Sequence, residues 1–256
     1  MTPSFVENGS GKPIVFLHGV GSDAGGFSPQ LEYFGRSYRA MAWNMPGYGG
    51  AEPLEIMTFP AVARALATQL DQLGIGRVHL VGHSLGGMVA QEFAALFPDR
   101  LLSLTLYATS ASFGRPDGDF QQKFIADRLA PIEAGQTLAD MAPGTMDAMM
   151  GNDADPEGRA IAIESMGRVP TAAYVQAVHC IVSFNQRDAL ARIAVPTLLI
   201  AGSVDANAPA PMMARMAERI PGGEFVVLDG LNHMAHLENP SLFNETLARF
   251  LDRQAA

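Results

Sequence analysis

The amino-acid sequence predicts an α/β fold: a doubly wound, mostly parallel sheet interrupted by a helical insertion. Three observations predict it. Short apolar runs alternate with amphipathic helical segments over the first hundred residues, the alternation stops from about Ser112 to Leu190, and it then resumes. Such alternation places helices on the faces of a parallel sheet.

The elements read as follows. "PIVFLHG" (13–19) is a buried strand closing on a glycine turn, and "YRAMAW" (38–43) is a second one ending at "NMPGYGG". Residues 60–74 form a helix with Pro60 at its start and Gly74 at its stop. "RVHLVG" (77–82) is a strand, 84–97 a helix ended by Pro98, and "LLSLTLYA" (101–108) a strand. Residues 112–190 hold helical segments, methionines and glycines without a convincing buried strand. The alternation returns with "VPTLLIAG" (195–202), a helix near 209–220, "EFVVLDG" (224–230) and a final helix at 240–253. The expected division is a core of 1–111 and 191–256 with 112–190 as a helical cap. Ligands bind beyond the carboxyl ends of strands in open α/β sheets, and an insertion there reads as a lid.

Composition narrows the function. With 48% apolar residues among 256, a large core is readily buried. The net charge of −9 and only two lysines, Lys12 and Lys123, argue against a nucleic-acid partner. One cysteine, Cys180, excludes an internal disulfide and favours a reducing compartment. The start "MTPSFVENGSGKP" lacks a basic, then apolar, leader, and no apolar run is long enough to span a bilayer. The expectation is a cytoplasmic protein without a membrane partner; a homo-oligomer is left open.

"Gly82-His83-Ser84-Leu85-Gly86" is a G-x-S-x-G elbow between a strand and a helix. Such a turn lifts a serine hydroxyl above the sheet edge, and the helix N-terminus adds positive potential beside developing negative charge. An alcohol needs a base oriented by a third group. His233, just past "EFVVLDG", is the favoured base, with His236 its rival. Asp205 in "LLIAGSVDANAP" is the favoured orienting acid over Asp229, which is too close to the base along the chain. The N–H groups of Leu85 and Val20 are the candidate oxyanion hole. His18, Gly19, His83, Met149 and His179 are candidate substrate-contacting residues, although His18 more simply holds its loop and His179 is more simply buried.

"FLHG", "WNMPGYGG", "GHSLGG", "PTLLIAGSVDANAP" and "NHMAHLENP" stand in the order of the landmarks of the α/β-hydrolase superfamily, which the chain resembles from about Pro13 onward. The segment 172–205 looks like the cap ending of 3-oxoadipate enol-lactonase-like hydrolases and carboxylesterases. The resemblance implies Ser84, Asp205 and His233 as nucleophile, acid and base, and no cofactor. Asn44 and Ala51 depart from an acid and a serine usual in the family, at positions expected to stabilise a turn. The short N-terminus leaves room for one strand where many relatives have a hairpin, which implies about seven strands with the first antiparallel.

Other signals are set aside. "GSGKP" lacks the hydroxyl residue and glycine spacing of a phosphate loop, and "HMAHLE" lacks a further cluster to complete a metal site. The insertion's methionines read as packing or an adaptable pocket roof. Arg128, Arg159, Arg168 and Arg187 are candidates for a substrate carboxylate, with solvated surface as the default. The expected function is a serine hydrolase of a small carboxylic ester or lactone. Carbon–carbon bond hydrolysis and cofactor-free perhydrolysis are alternatives on the same triad; a ligand receptor is the non-enzyme alternative.

Overall fold

The structure is a computed structural model that describes residues 4–114 and 118–254. Seven strands form one sheet: β1 (Phe5–Asn8), β2 (Pro13–Leu17), β3 (Arg39–Trp43), β4 (Val78–His83), β5 (Leu101–Tyr107), β6 (Thr197–Gly202) and β7 (Glu224–Leu228), in spatial order β1-β3-β2-β4-β5-β6-β7. Only β1 runs antiparallel, paired with β3 from Phe5↔Trp43 to Asn8↔Ala40. Both the strand number and the antiparallel start match the expectation.

The central strands are apolar on both faces because helices cover both. All six residues of β4 are buried, as are all six of β6. On one side α2 (Phe59–Gln72), α3 (Leu85–Leu96) and α8 (Ala210–Ala217) seat Leu66, Leu70, Phe93 and Met213 against Leu80 and Leu104. On the other, α1 (Ser28–Phe34) and α9 (Pro240–Asp252) seat Phe34, Phe243 and Phe250 against Phe16 and Ile200. Thr58 caps α2 by accepting the Ala61 amide hydrogen, and Pro60 sits in the first turn, where its missing N–H costs nothing. Helix α1 follows the glycine-rich "HGVGSDAGG", and that loop chemistry hides it from a periodicity reading.

Between β5 and β6 lie α4 (Asp119–Glu133), α5 (Leu138–Met149), α6 (Pro156–Gly167) and α7 (Thr171–Ile181). Their apolar residues, among them Leu129, Met146, Met166 and Tyr174, are continuous with the α2–α3 core. The chain winds outward in opposite directions from β2 and β4, so their carboxyl ends flank the crevice where such sheets bind ligands. Among the described residues, no helix is long and apolar enough to cross a membrane.

Candidate active site

The site begins with backbone geometry at the end of β4. Ser84 has φ 52° and ψ −115°, a left-handed conformation that costs a non-glycine residue about 1–3 kcal/mol. The surroundings hold it there. Its N–H donates to the Tyr107 carbonyl at 3.0 Å, and its carbonyl accepts the Thr109 hydroxyl at 2.7 Å and the Gly87 amide at 3.0 Å. A Cβ on Gly82 would collide with the Gly86 carbonyl, and one on Gly86 with the Leu17 carbonyl. The two glycines therefore let β4, α3 and β2 close on one another, leaving the serine at the crest with α3 starting directly behind it.

His233 follows β7 and is buried. Its Nδ1 donates to Asp205 Oδ2 at 2.8 Å, because an ionised carboxylate can only accept. That leaves the lone pair on Nε2. Asp205 Oδ1 accepts the amides of Asn207 at 2.7 Å and Ala208 at 3.0 Å, which fixes the carboxylate plane. Burial pushes the Asp205 carboxyl up, but His233 and those two amides outweigh it and hold its pKa below the usual carboxylate value. The rival pairings are absent. His236 is buried among Phe27, Phe243 and Tyr107, and Asp229 is exposed beside Ser203.

Ser84 and His233 line the same two cavities, a narrow one of about 30 Å³ and a wider one of about 270 Å³. Gly19, Val20, Met149 and His83 also face the narrow cavity, and Val20, Leu85 and Met149 the wider one. Among the described residues neither the Val20 nor the Leu85 amide donates a hydrogen bond, so both N–H groups are free for a ligand. Among the described residues Ser84 Oγ likewise has no partner within hydrogen-bond distance; such bonds are often long in unliganded sites and tighten with substrate.

Two sequence-predicted contacts are corrected. His179 is exposed on α7 between the buried Val178 and Cys180, and lines neither cavity. His18 lies behind the loop it shapes: its Nδ1 pairs with the Gly19 carbonyl at 2.8 Å and its Nε2 accepts the Met45 amide at 3.2 Å. Burial lowers its pKa to about 4, consistent with a neutral ring. His83 serves two ends, since it lines the narrow cavity while its Nε2 donates to the His233 carbonyl at 3.0 Å. Burial, then the neighbouring His236 and His233, hold it well below the ordinary histidine value. Asn44 accepts the Ala24 amide at 2.9 Å, which ties the end of β3 to the loop after β2.

Three site residues escape sequence reasoning. Tyr107 donates its hydroxyl to the His233 carbonyl at 2.7 Å. Glu238 accepts the Asn232, Met234 and Gly151 amides at 2.8–3.2 Å, bracketing His233 and tying its loop to the end of α5. Asp23, on the Val20 loop, accepts Arg168 Nε at 2.8 Å and the Ser165 hydroxyl at 2.7 Å, tying that loop to α6. No local sequence pattern marks any of these, because each depends on tertiary placement. Among the described residues, no group of three or more His, Cys, Asp or Glu converges as metal ligands.

Comparison with known proteins places the chain among hydrolases. A family model described as "Alpha/beta hydrolase family" matches residues 14–246. The chain is 27% identical over 241 residues to 3-oxoadipate enol-lactonase 1 of Acinetobacter baylyi, covering 93% of this chain and 88% of that one. It superposes on a thermophilic esterase from Thermogutta terrifontis with TM-score 0.87 and 26% identity, covering 98% and 93%. It superposes on the enol-lactonase from Burkholderia xenovorans LB400 with TM-score 0.85 over 97% and 95%; at 22% identity that likeness concerns the fold.

Proposed function

We propose that this chain, which belongs to the alpha/beta hydrolase family, is a serine hydrolase that cleaves a small carboxylic ester or lactone through an acyl-enzyme. The observation that carries the reading is the His233–Asp205 pair: Nδ1 is committed to the carboxylate at 2.8 Å, so the basic nitrogen is left for the cavity that Ser84 lines. In this reading His233 takes the Ser84 proton as Oγ attacks the carbonyl carbon. The tetrahedral oxyanion rests on the Val20 and Leu85 amides, and the start of α3 adds its dipole. His233 then returns the proton to the leaving alkoxide. A water deprotonated by the same ring attacks the acyl-enzyme and frees the acid and Ser84.

The insertion acts as a cap, since Met146, Met149, Met166 and Tyr174 roof the narrow cavity and shed water from the reacting groups. The enol-lactonase and esterase relatives support ester bonds as the target. Replacing the nucleophile tests the reading: with a short aryl ester, Ser84→Ala is expected to lower kcat by more than about a thousandfold.

A further inference from the structure

We propose that the substrate carries a second, free carboxylate, and that Arg128 on α4 receives it. This rests on the ester-hydrolase reading and narrows it to half-esters of short dicarboxylic acids and carboxylate-bearing lactones.

The argument begins with where the other insertion arginines are occupied. Arg159 pairs with Asp147 at 2.7 Å and with the Gly151 carbonyl at 3.0 Å. Arg168 is held by Asp23 at 2.8 Å and Glu164 at 2.6 Å, and Arg187 by the Ser112 hydroxyl at 2.6 Å. Arg128 is different. Among the described residues it joins no ion pair, and its guanidinium lies over the Phe124 ring, 5.1 Å from the centroid. The adjacent Asp127 is taken by Lys123 at 2.7 Å.

Arg128 lines both cavities that meet at Ser84. Among the described residues it is the one lysine or arginine to do so, and no aspartate or glutamate lines either cavity. In a chain of net charge −9, an acid-free pocket whose one guanidinium joins no ion pair among the described residues is a local reversal of sign. The apolar walls around it, chiefly Met149, Phe124 and Ile181, strengthen any charge–charge contact by displacing water. The Tyr174 side chain and Thr145 share the narrow cavity with it. Burial raises the Tyr174 pKa while the Arg128 charge opposes it, so the phenol stays a neutral donor beside the guanidinium. A planar fork with neighbouring hydroxyl groups suits a singly charged, planar carboxylate; a doubly charged phosphate would call for more than one cation.

The test compares 4-nitrophenyl hydrogen glutarate, ionised at neutral pH, with its methyl-capped neutral counterpart. The wild-type protein is expected to favour the charged ester in kcat/KM. Arg128→Met, which keeps bulk but loses charge, is expected to erase about ten- to a hundredfold of that preference, mainly through KM. Arg128→Lys should restore part of it, and Arg187→Met should leave the preference intact. Three results overturn the proposal: no preference in the wild-type protein, equal losses on both esters in Arg128→Met, or the same loss in Arg187→Met. Turnover of the neutral ester in any of these cases leaves the ester-hydrolase reading standing. Failure to turn over either ester, with Ser84→Ala indistinguishable from wild type, removes both.

Discussion

Asp205 is the residue on which the tautomer of His233 depends. With its carboxylate held by two amides and facing Nδ1, the imidazole has one orientation in which Nε2 is free. Asp205→Asn keeps the volume but removes the charge, and its amide can present a donor that turns the ring's proton to the wrong nitrogen. A loss of about 10³–10⁴ in kcat is expected, the scale seen when a triad aspartate is changed in this way. Asp229→Asn, at the exposed alternative, should stay near wild type. Steady-state kinetics on one ester separates them. The proposed triad of Ser84, His233 and Asp205 can be picked out in the chain because each residue stands in a short motif directly beyond a strand. His179 was misplaced for the opposite reason. Its neighbours Val178 and Cys180 are buried, and a segment of near-uniform small and apolar residues does not reveal which way an isolated histidine turns.

At the scale of elements, two ties join the helical insertion to the loops that carry His233 and Val20. Glu238 gathers amides on both sides of His233 and from Gly151, while Asp23 binds the Val20 loop to Ser165 on α6 and to Arg168 just after it. Burial raises the Glu238 pKa against the pull of those three amides; in Asp23, the Arg168 and Ser165 contacts overcome burial and hold the pKa low. Removing the Glu238 carboxylate leaves three N–H groups without their acceptor. Glu238→Ala is expected to cost about 2 kcal/mol of stability. It should also lower kcat about tenfold, since a base loop displaced by a fraction of an ångström loses near-attack geometry. Urea unfolding and ester kinetics on the same variant measure both, and an unchanged kcat would remove Glu238 from its positioning role. Neither tie was readable from sequence, because each joins residues more than eighty positions apart.

The whole molecule carries a pH signature. Burial lowers His18 and His79 to about 4 and, with a smaller push from His233, His236 to about 3, against 6.5 for an exposed ring. A depressed folded pKa means that the unfolded chain binds more protons below 6.5, so stability is full above that value and falls as pH drops toward 4. Each ring contributes a slope of up to about 1.4 kcal/mol per pH unit within that window. The unfolding free energy should be level above pH 7 and fall steeply between pH 6.5 and 4; a curve still flat at pH 4.5 would contradict these burials. The fold class and most of the succession of strands and helices were legible at this scale because period and turn chemistry repeat along the chain. The directions of the insertion's helices were not, since α4 and α6 are only weakly amphipathic.

The most direct test of the central claim is the pre-steady-state reaction of wild type and Ser84→Ala with a 4-nitrophenyl ester, in which deacylation limits turnover. The account predicts a burst of nitrophenolate equal to one per wild-type chain and none from the variant. A burst of equal size from Ser84→Ala would place the acyl group elsewhere and contradict the mechanism.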